Sequence, residues 1–85
     1  MSRARDPAVI GAFAIALREF RQERGMTQEA LAFGAGVDRT FVGLLETGKR
    51  QPSLSVLWAL ARALGRTPQS LVARVCELMT CNVAA

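Results

Sequence analysis

Residues 26–52 read MTQEALAFGAGVDRTFVGLLETGKRQP, and the fold follows from how this stretch divides. Thr27 is placed to accept hydrogen bonds from the free amides of a helix beginning at Gln28, and Leu31 with Ala32 gives that short helix one apolar side. Gly36 ends it, because a glycine enters the left-handed backbone region without steric cost and lets the chain turn sharply. A second helix is expected from Asp38, its cap, to Thr47, with Gly48 closing it. On this helix Val42, Leu45 and Phe41 form the inward side and Arg39, Thr40, Gly43 and Leu44 the outward one. Lys49, Arg50 and Gln51 follow at once.

On either side of this stretch the chain continues in the same style. Asp6-Pro7 reads as a cap with a first-turn proline, opening a helix to Glu23 that buries Ile10, Phe13, Leu17 and Phe20 and leaves Arg18, Glu19, Gln22 and Glu23 in solvent. Arg24-Gly25 ends it. Ser53 caps a fourth helix whose Leu54, Leu57, Leu60, Ala61 and Leu64 recur at helical spacing and are expected to face the core; Gly65 ends it. Thr67-Pro68 opens a fifth, whose Leu71, Val72, Val75, Leu78 and Met79 are too many for one narrow stripe and call for a partner surface. The domain is therefore placed at 7–79, the two-helix motif at 27–47, a flexible basic arm at 1–6 and a frayed tail at 80–85. Arginines of the arm either touch an anion or do nothing.

Composition agrees with an all-α domain. The 85 residues are 51% hydrophobic, and a chain of this size buries only about 60% of its unfolded surface. Eleven Lys and Arg against seven Asp and Glu give a net charge of +4, which suits an anionic partner, nucleic acid first. The apolar run Ala8–Leu17 after Arg3 and Arg5 superficially resembles a secretory signal, but helical spacing carries through it into charged sequence; at ten residues it is too short to cross a bilayer. The run is read as part of the first helix. Cys76 and Cys81 match no usual zinc or redox spacing, and there is no histidine, so free thiols in a reducing cytoplasm are expected. No metal, cofactor or small-molecule ligand is expected, and no constellation supports catalysis.

Two short helices joined by a glycine turn, with polar groups on the second and positive charge past its end, make a helix-turn-helix. Arg21 before Gly25, Thr27-Gln28-Glu29 with Leu31-Ala32, Gly36, Asp38-Arg39-Thr40-Phe41, Glu46 with Gly48-Lys49-Arg50, Pro52-Ser53, and Ala61 with Leu64-Gly65 together resemble the Cro-like and phage-repressor-like regulators known as the XRE family. The resemblance covers Phe13 to Val75. It implies a compact five-helix repressor-like domain, usually a homodimer, that sets its third helix in the major groove of a two-fold symmetric operator.

Carried over by position, the resemblance makes Gln28 a phosphate contact at a helix N-terminus. Lys49, Arg50 and Gln51 become a loop that grips the DNA backbone, with Ser53 and Ser55 adding phosphate bonds. Arg39 and Thr40 match positions that meet base edges, Arg39 being suited to guanine O6 and N7. Asp38 either accepts from a cytosine amino group or caps its helix. Phe41 either leans on a sugar or thymine methyl or belongs to the core. Leu44 is counted among the base-facing positions for its outward placement, although neither it nor Gly43 can donate a hydrogen bond. Readout by DNA shape is therefore expected to matter. Gly34 is a departure that weakens its helix by up to about 1 kcal/mol relative to alanine.

Arg21 and Glu46 resemble a buried ion pair of the family that fixes the recognition helix. Arg62, Arg66 and Arg74 are read as solvated charges; Arg18 and Arg24 either are the same or approach the DNA backbone. Val72, Val75 and Met79 are assigned to a dimer seam; Trp58 either joins it or packs against the fifth helix or the arm. The reading is a cytoplasmic, sequence-specific transcriptional regulator, not an enzyme, whose partners are double-stranded DNA and a second copy of itself. Its short length and Asp38–Phe41 segment look most like restriction-modification controller proteins. The rival is an adaptor or antitoxin that keeps the fold with little DNA readout.

Overall fold

A computed structural model describes residues 5–80, which form α1 (Pro7–Glu23), α2 (Gln28–Ala35), α3 (Arg39–Glu46), α4 (Leu54–Ala63) and α5 (Pro68–Thr80). Four of the five helices start on a side-chain oxygen that takes up an otherwise orphaned amide. Asp6 accepts from Ala8 and Val9, Thr27 from Ala30, Ser53 from Val56, and Thr67 from Ser70. Such caps contribute about 1 kcal/mol each. The exception is α3: Asp38 has the extended backbone of a capping residue, but its carboxylate bonds no helix amide. The cap expected there from sequence is thus a cap in backbone only.

α1 packs along α5 and against α3, α2 lies against both α3 and α4, and α4 closes on α5. Leu17, Leu31, Val42, Leu45, Leu60, Leu64 and Leu71 are fully buried where these helices meet. Burying a side chain of this size contributes about 1.5–3 kcal/mol, so this shared centre is what holds α2 and α3 at their fixed angle. Between them Gly36 takes φ 73°, the left-handed conformation the turn requires.

Three expectations are corrected. Leu54 is 70% exposed, because it is the first residue of α4 and projects beyond the core that receives Leu60, Ala61 and Leu64. Thr80 belongs to α5, donating its hydroxyl back to the carbonyl of Glu77; residues 81–85, with Cys81, lie outside the described residues, as do 1–4 of the arm. Gly34 has a packing reason: a Cβ built there would lie 3.2 Å from Cβ of Ala63, so its absence lets α2 approach α4 closely. The described residues contain no helix long and apolar enough to cross a membrane.

Candidate nucleic-acid interface

The outer side of α3 is anchored from behind by one buried carboxylate. Glu46 is 3% exposed, and it accepts from Arg21 Nε at 2.6 Å, from Arg21 Nη2 at 3.0 Å and from Gln28 Nε2 at 3.1 Å. Arg21 Nη1 donates to the carbonyl of Met26 at 2.8 Å. The hydrogen bonds that Arg21 donates to Glu46 raise the Arg21 pKa above its already high value, against a smaller opposing effect of burial. One carboxylate thereby joins α1, the start of α2 and the end of α3.

Gln28 continues this network outward. Its Oε1 accepts from Arg39 Nη1 at 3.4 Å, so the side chain expected to hold a phosphate is also engaged on both ends within the protein. One amide hydrogen of Gln28 remains for an outside acceptor. Arg39 and Thr40 are exposed on the first turn of α3, and the Asp38 carboxylate stands uncommitted just before them. Phe41 is half-buried and packs against the core, while also lining a shallow surface depression with Gly36, Val37 and Asp38. Leu44 is half-buried rather than fully outward. Thr47 turns its hydroxyl back on the carbonyl of Gly43 at 2.9 Å, which closes α3 and leaves little for an outside ligand.

Past α3 the chain is pinned in place. The amides of Lys49 and Arg50 both reach the carbonyl of Leu44, at 2.9 and 3.3 Å, so the two cations leave from a fixed backbone. Gln51 and Ser53 are exposed. Ser53 Oγ accepts from Val56 N at 3.1 Å and keeps its own proton to donate. The structure thus gathers Arg39, Thr40, Lys49 and Arg50 on and beside one helix, with Gln28 at its flank.

Three cations elsewhere are occupied, contrary to the solvated reading of Arg24, Arg66 and Arg74. Arg24 Nη1 donates to the carbonyl of Leu64 at 2.7 Å, tying the end of α1 to the end of α4. Arg66 pairs with Glu23 at 2.7 Å and lies 4.4 Å over the ring of Phe20. Arg74 pairs with Glu19 and Glu77, and its hydrogen bonds draw the Glu19 pKa below the ordinary carboxylate value while its own rises. These partners are 43 and 55 residues apart in the chain, beyond any local sequence signal.

The residues assigned to a dimer seam separate. Val75, expected there, is 8% exposed and belongs to the core, and Met79 is half-buried against it. Val72 and Trp58 are each 46% exposed; together with Leu54 they line an apolar surface between α4 and α5 that also includes Leu57 and Pro68. Sequence periodicity missed Leu54 here by assigning it inward. Cys76 is exposed, and no group of three His, Cys, Asp or Glu able to hold a metal occurs among the described residues.

Residues 17–71 match the protein family described as Helix-turn-helix. An uncharacterised HTH-type transcriptional regulator of Methanothermobacter thermautotrophicus is 50% identical over 50 residues, which span 59% of this chain and 72% of that protein. Among solved structures, the restriction-modification controller protein C.AhdI of Aeromonas hydrophila is 44% identical with a TM-score of 0.72, covering 73% of this chain and 94% of its own. The clp gene regulator ClgR of Corynebacterium glutamicum superposes with a TM-score of 0.84 at 28% identity, covering 89% of this chain and 81% of its own.

Proposed function

The chain belongs to the helix-turn-helix family, of the XRE type, and from that membership we propose that it regulates transcription as a homodimer bound to a two-fold symmetric operator, with α3 in the major groove. One observation carries it: Arg39 and Thr40 stand exposed on a helix whose other end is fixed by the Arg21, Glu46 and Gln28 network. A side chain on a rigid element can read a base edge reproducibly.

In this reading Arg39 is the main specificity residue, a bidentate donor to guanine, with Thr40 and Asp38 beside it and Leu44 offering apolar contact. Lys49, Arg50, Gln51, Ser53 and the remaining amide hydrogen of Gln28 meet phosphates, which position the domain without reading sequence. Two copies joined through Trp58, Val72 and Leu54 would present two such helices to half-sites about one helical turn apart. Met79 lines a separate apolar surface with Pro7, Gly11 and Ile15 of α1, and Val75 supports the seam from the core. Similarity to C.AhdI favours a restriction-modification controller as the kind of regulator. The function needs no cofactor and no catalysis, and it belongs to the cytoplasm.

The test is selection from a randomised duplex library at two salt concentrations, comparing the native protein with Arg39→Ala. A symmetric enriched site that relaxes in the variant, while sequence-independent binding persists, is the expected result. A second reading, a protein-interaction module or antitoxin, draws on Phe33, which is 89% exposed on α2. Failure of the native protein to enrich any site would favour it.

A further inference from the structure

Arg5 precedes α1 in sequence, yet its guanidinium lies at the far end of α3. Its Nη2 donates to the carbonyl of Lys49 at 3.0 Å, while the amide of that same residue is held by Leu44. Both backbone groups of Lys49 are therefore engaged, and the N-terminal flank is fastened to the loop that carries the two cations.

Among the described residues no carboxylate pairs with Arg5. The ion pairs among the described residues employ Arg21, Arg66 and Arg74. The adjacent carboxylate of Asp6 is committed to the amides of Ala8 and Val9. A guanidinium carries five N–H donors, and the Lys49 carbonyl takes one, leaving the positive charge exposed and oriented. With Lys49 and Arg50 this makes three cations on one short stretch of surface, none paired with a carboxylate among the described residues, although Arg5 and Lys49 are 44 residues apart in the chain. Such an arrangement costs repulsion among the three unless an anion comes between them.

We propose that Arg5 is a further phosphate contact of this interface: held by the Lys49 carbonyl, it offers its remaining N–H groups to the DNA backbone beside Lys49 and Arg50. The inference rests on the DNA-binding reading above, and the experiment separates the two.

Binding of a labelled mixed-sequence duplex about two helical turns long is followed by fluorescence anisotropy across a salt series for the native protein, Arg5→Gln and Arg5→Lys. No operator is required, because sequence-independent binding is itself the phosphate contribution, and each neutralised phosphate adds about 0.9 to the slope of log K against log salt. Arg5→Gln removes the charge and leaves a shorter polar side chain. Its slope is expected to be shallower by about 0.9, with Arg5→Lys retaining the native slope. A native slope in Arg5→Gln, whatever its affinity, overturns the assignment of Arg5 and leaves the regulator reading standing. Absence of salt-dependent binding by the native protein overturns both. Thermal melting by circular dichroism checks that each variant is folded.

Discussion

Arg21 and Glu46 meet in a bidentate pair across α1 and α3, Nε to Oε2 at 2.6 Å and Nη2 to Oε1 at 3.0 Å, with the Glu46 side chain only 2% exposed. The pair is supported by Gln28 and by the Met26 carbonyl, and no buried side-chain polar atom among the described residues lacks a partner. Removing one member strands the other's charge and is far costlier than replacing both with apolar groups of similar size.

Glu46→Ala is accordingly expected to destabilise the domain by about 3 kcal/mol or more, and Arg21→Met with Glu46→Leu by much less. Urea denaturation of Glu46→Ala and of the double variant measures this. Equal losses in the double variant and in Glu46→Ala would mean that the stranded charge is not what costs.

The close approach of α2 to α4 makes a distinct prediction at Gly34. Alanine there returns about 1 kcal/mol of helix propensity but forces its Cβ against that of Ala63 at 3.2 Å. Both atoms sit on helix backbones, so the helices must separate, and overpacking costs about 1–3 kcal/mol. Gly34→Ala is expected to lower the urea midpoint, and the addition of Ala63→Gly to relieve the contact. A gain in stability from Gly34→Ala alone would show that the two helices part freely.

Acid sensitivity follows from Glu19, whose pKa is lowered chiefly by hydrogen bonds from Arg74. A carboxyl with a depressed folded pKa contributes stability that is fully present above its unfolded value of about 4.3 and lost as pH falls through the folded value. Arg74 stays charged throughout. Glu19→Gln should therefore be less stable than the native protein near neutrality, with the difference shrinking toward acid. The pair is partly exposed, so the effect is small and fades in high salt. Urea midpoints across the acid range check the trend, which an equal difference at every pH would contradict.

The proposed dimer can be tested through Trp58, the chain's one tryptophan. Half-exposed in the single chain, it is expected to shift its emission to the blue as protein concentration rises and the α4 and α5 surface is covered. Val72→Glu would place a charge in that contact, and it should remain monomeric by sedimentation equilibrium at concentrations where the native protein pairs. A native protein that stays monomeric throughout would move the proposed seam elsewhere or remove it.

The sequence made the helices legible because their signals are local. Asp6-Pro7, Thr27, Ser53 and Thr67 each announce a start within three residues of the amide they satisfy, and Gly36 marks the turn through its own backbone. The Arg21 and Glu46 pair came through resemblance alone. What could not be read are contacts whose partners are remote along the chain: Gln28 with Glu46, Arg24 with the Leu64 carbonyl, Arg74 with Glu19. Leu54 misled because helical spacing gives direction around an axis but not how far the core extends along it. Val75 misled for a related reason: α5 packs on both α1 and α4, so its buried face takes Val75 as well as Leu71.

The division of the cations between paired and unpaired groups also shapes how the molecule moves before it touches anything. Glu19, Glu23 and Glu77 offset Arg66 and Arg74 on α1, α5 and the turn between α4 and α5, while Arg5, Arg39, Lys49 and Arg50 cluster around the ends of α3 without carboxylate partners. The unpaired cations there give that end a local positive field within a net charge of +4. Such a field attracts a polyanion during diffusion, so a larger share of collisions begins near the cations. Added salt would shorten the range of that attraction, and the encounter rate would fall even where the final contacts are unchanged.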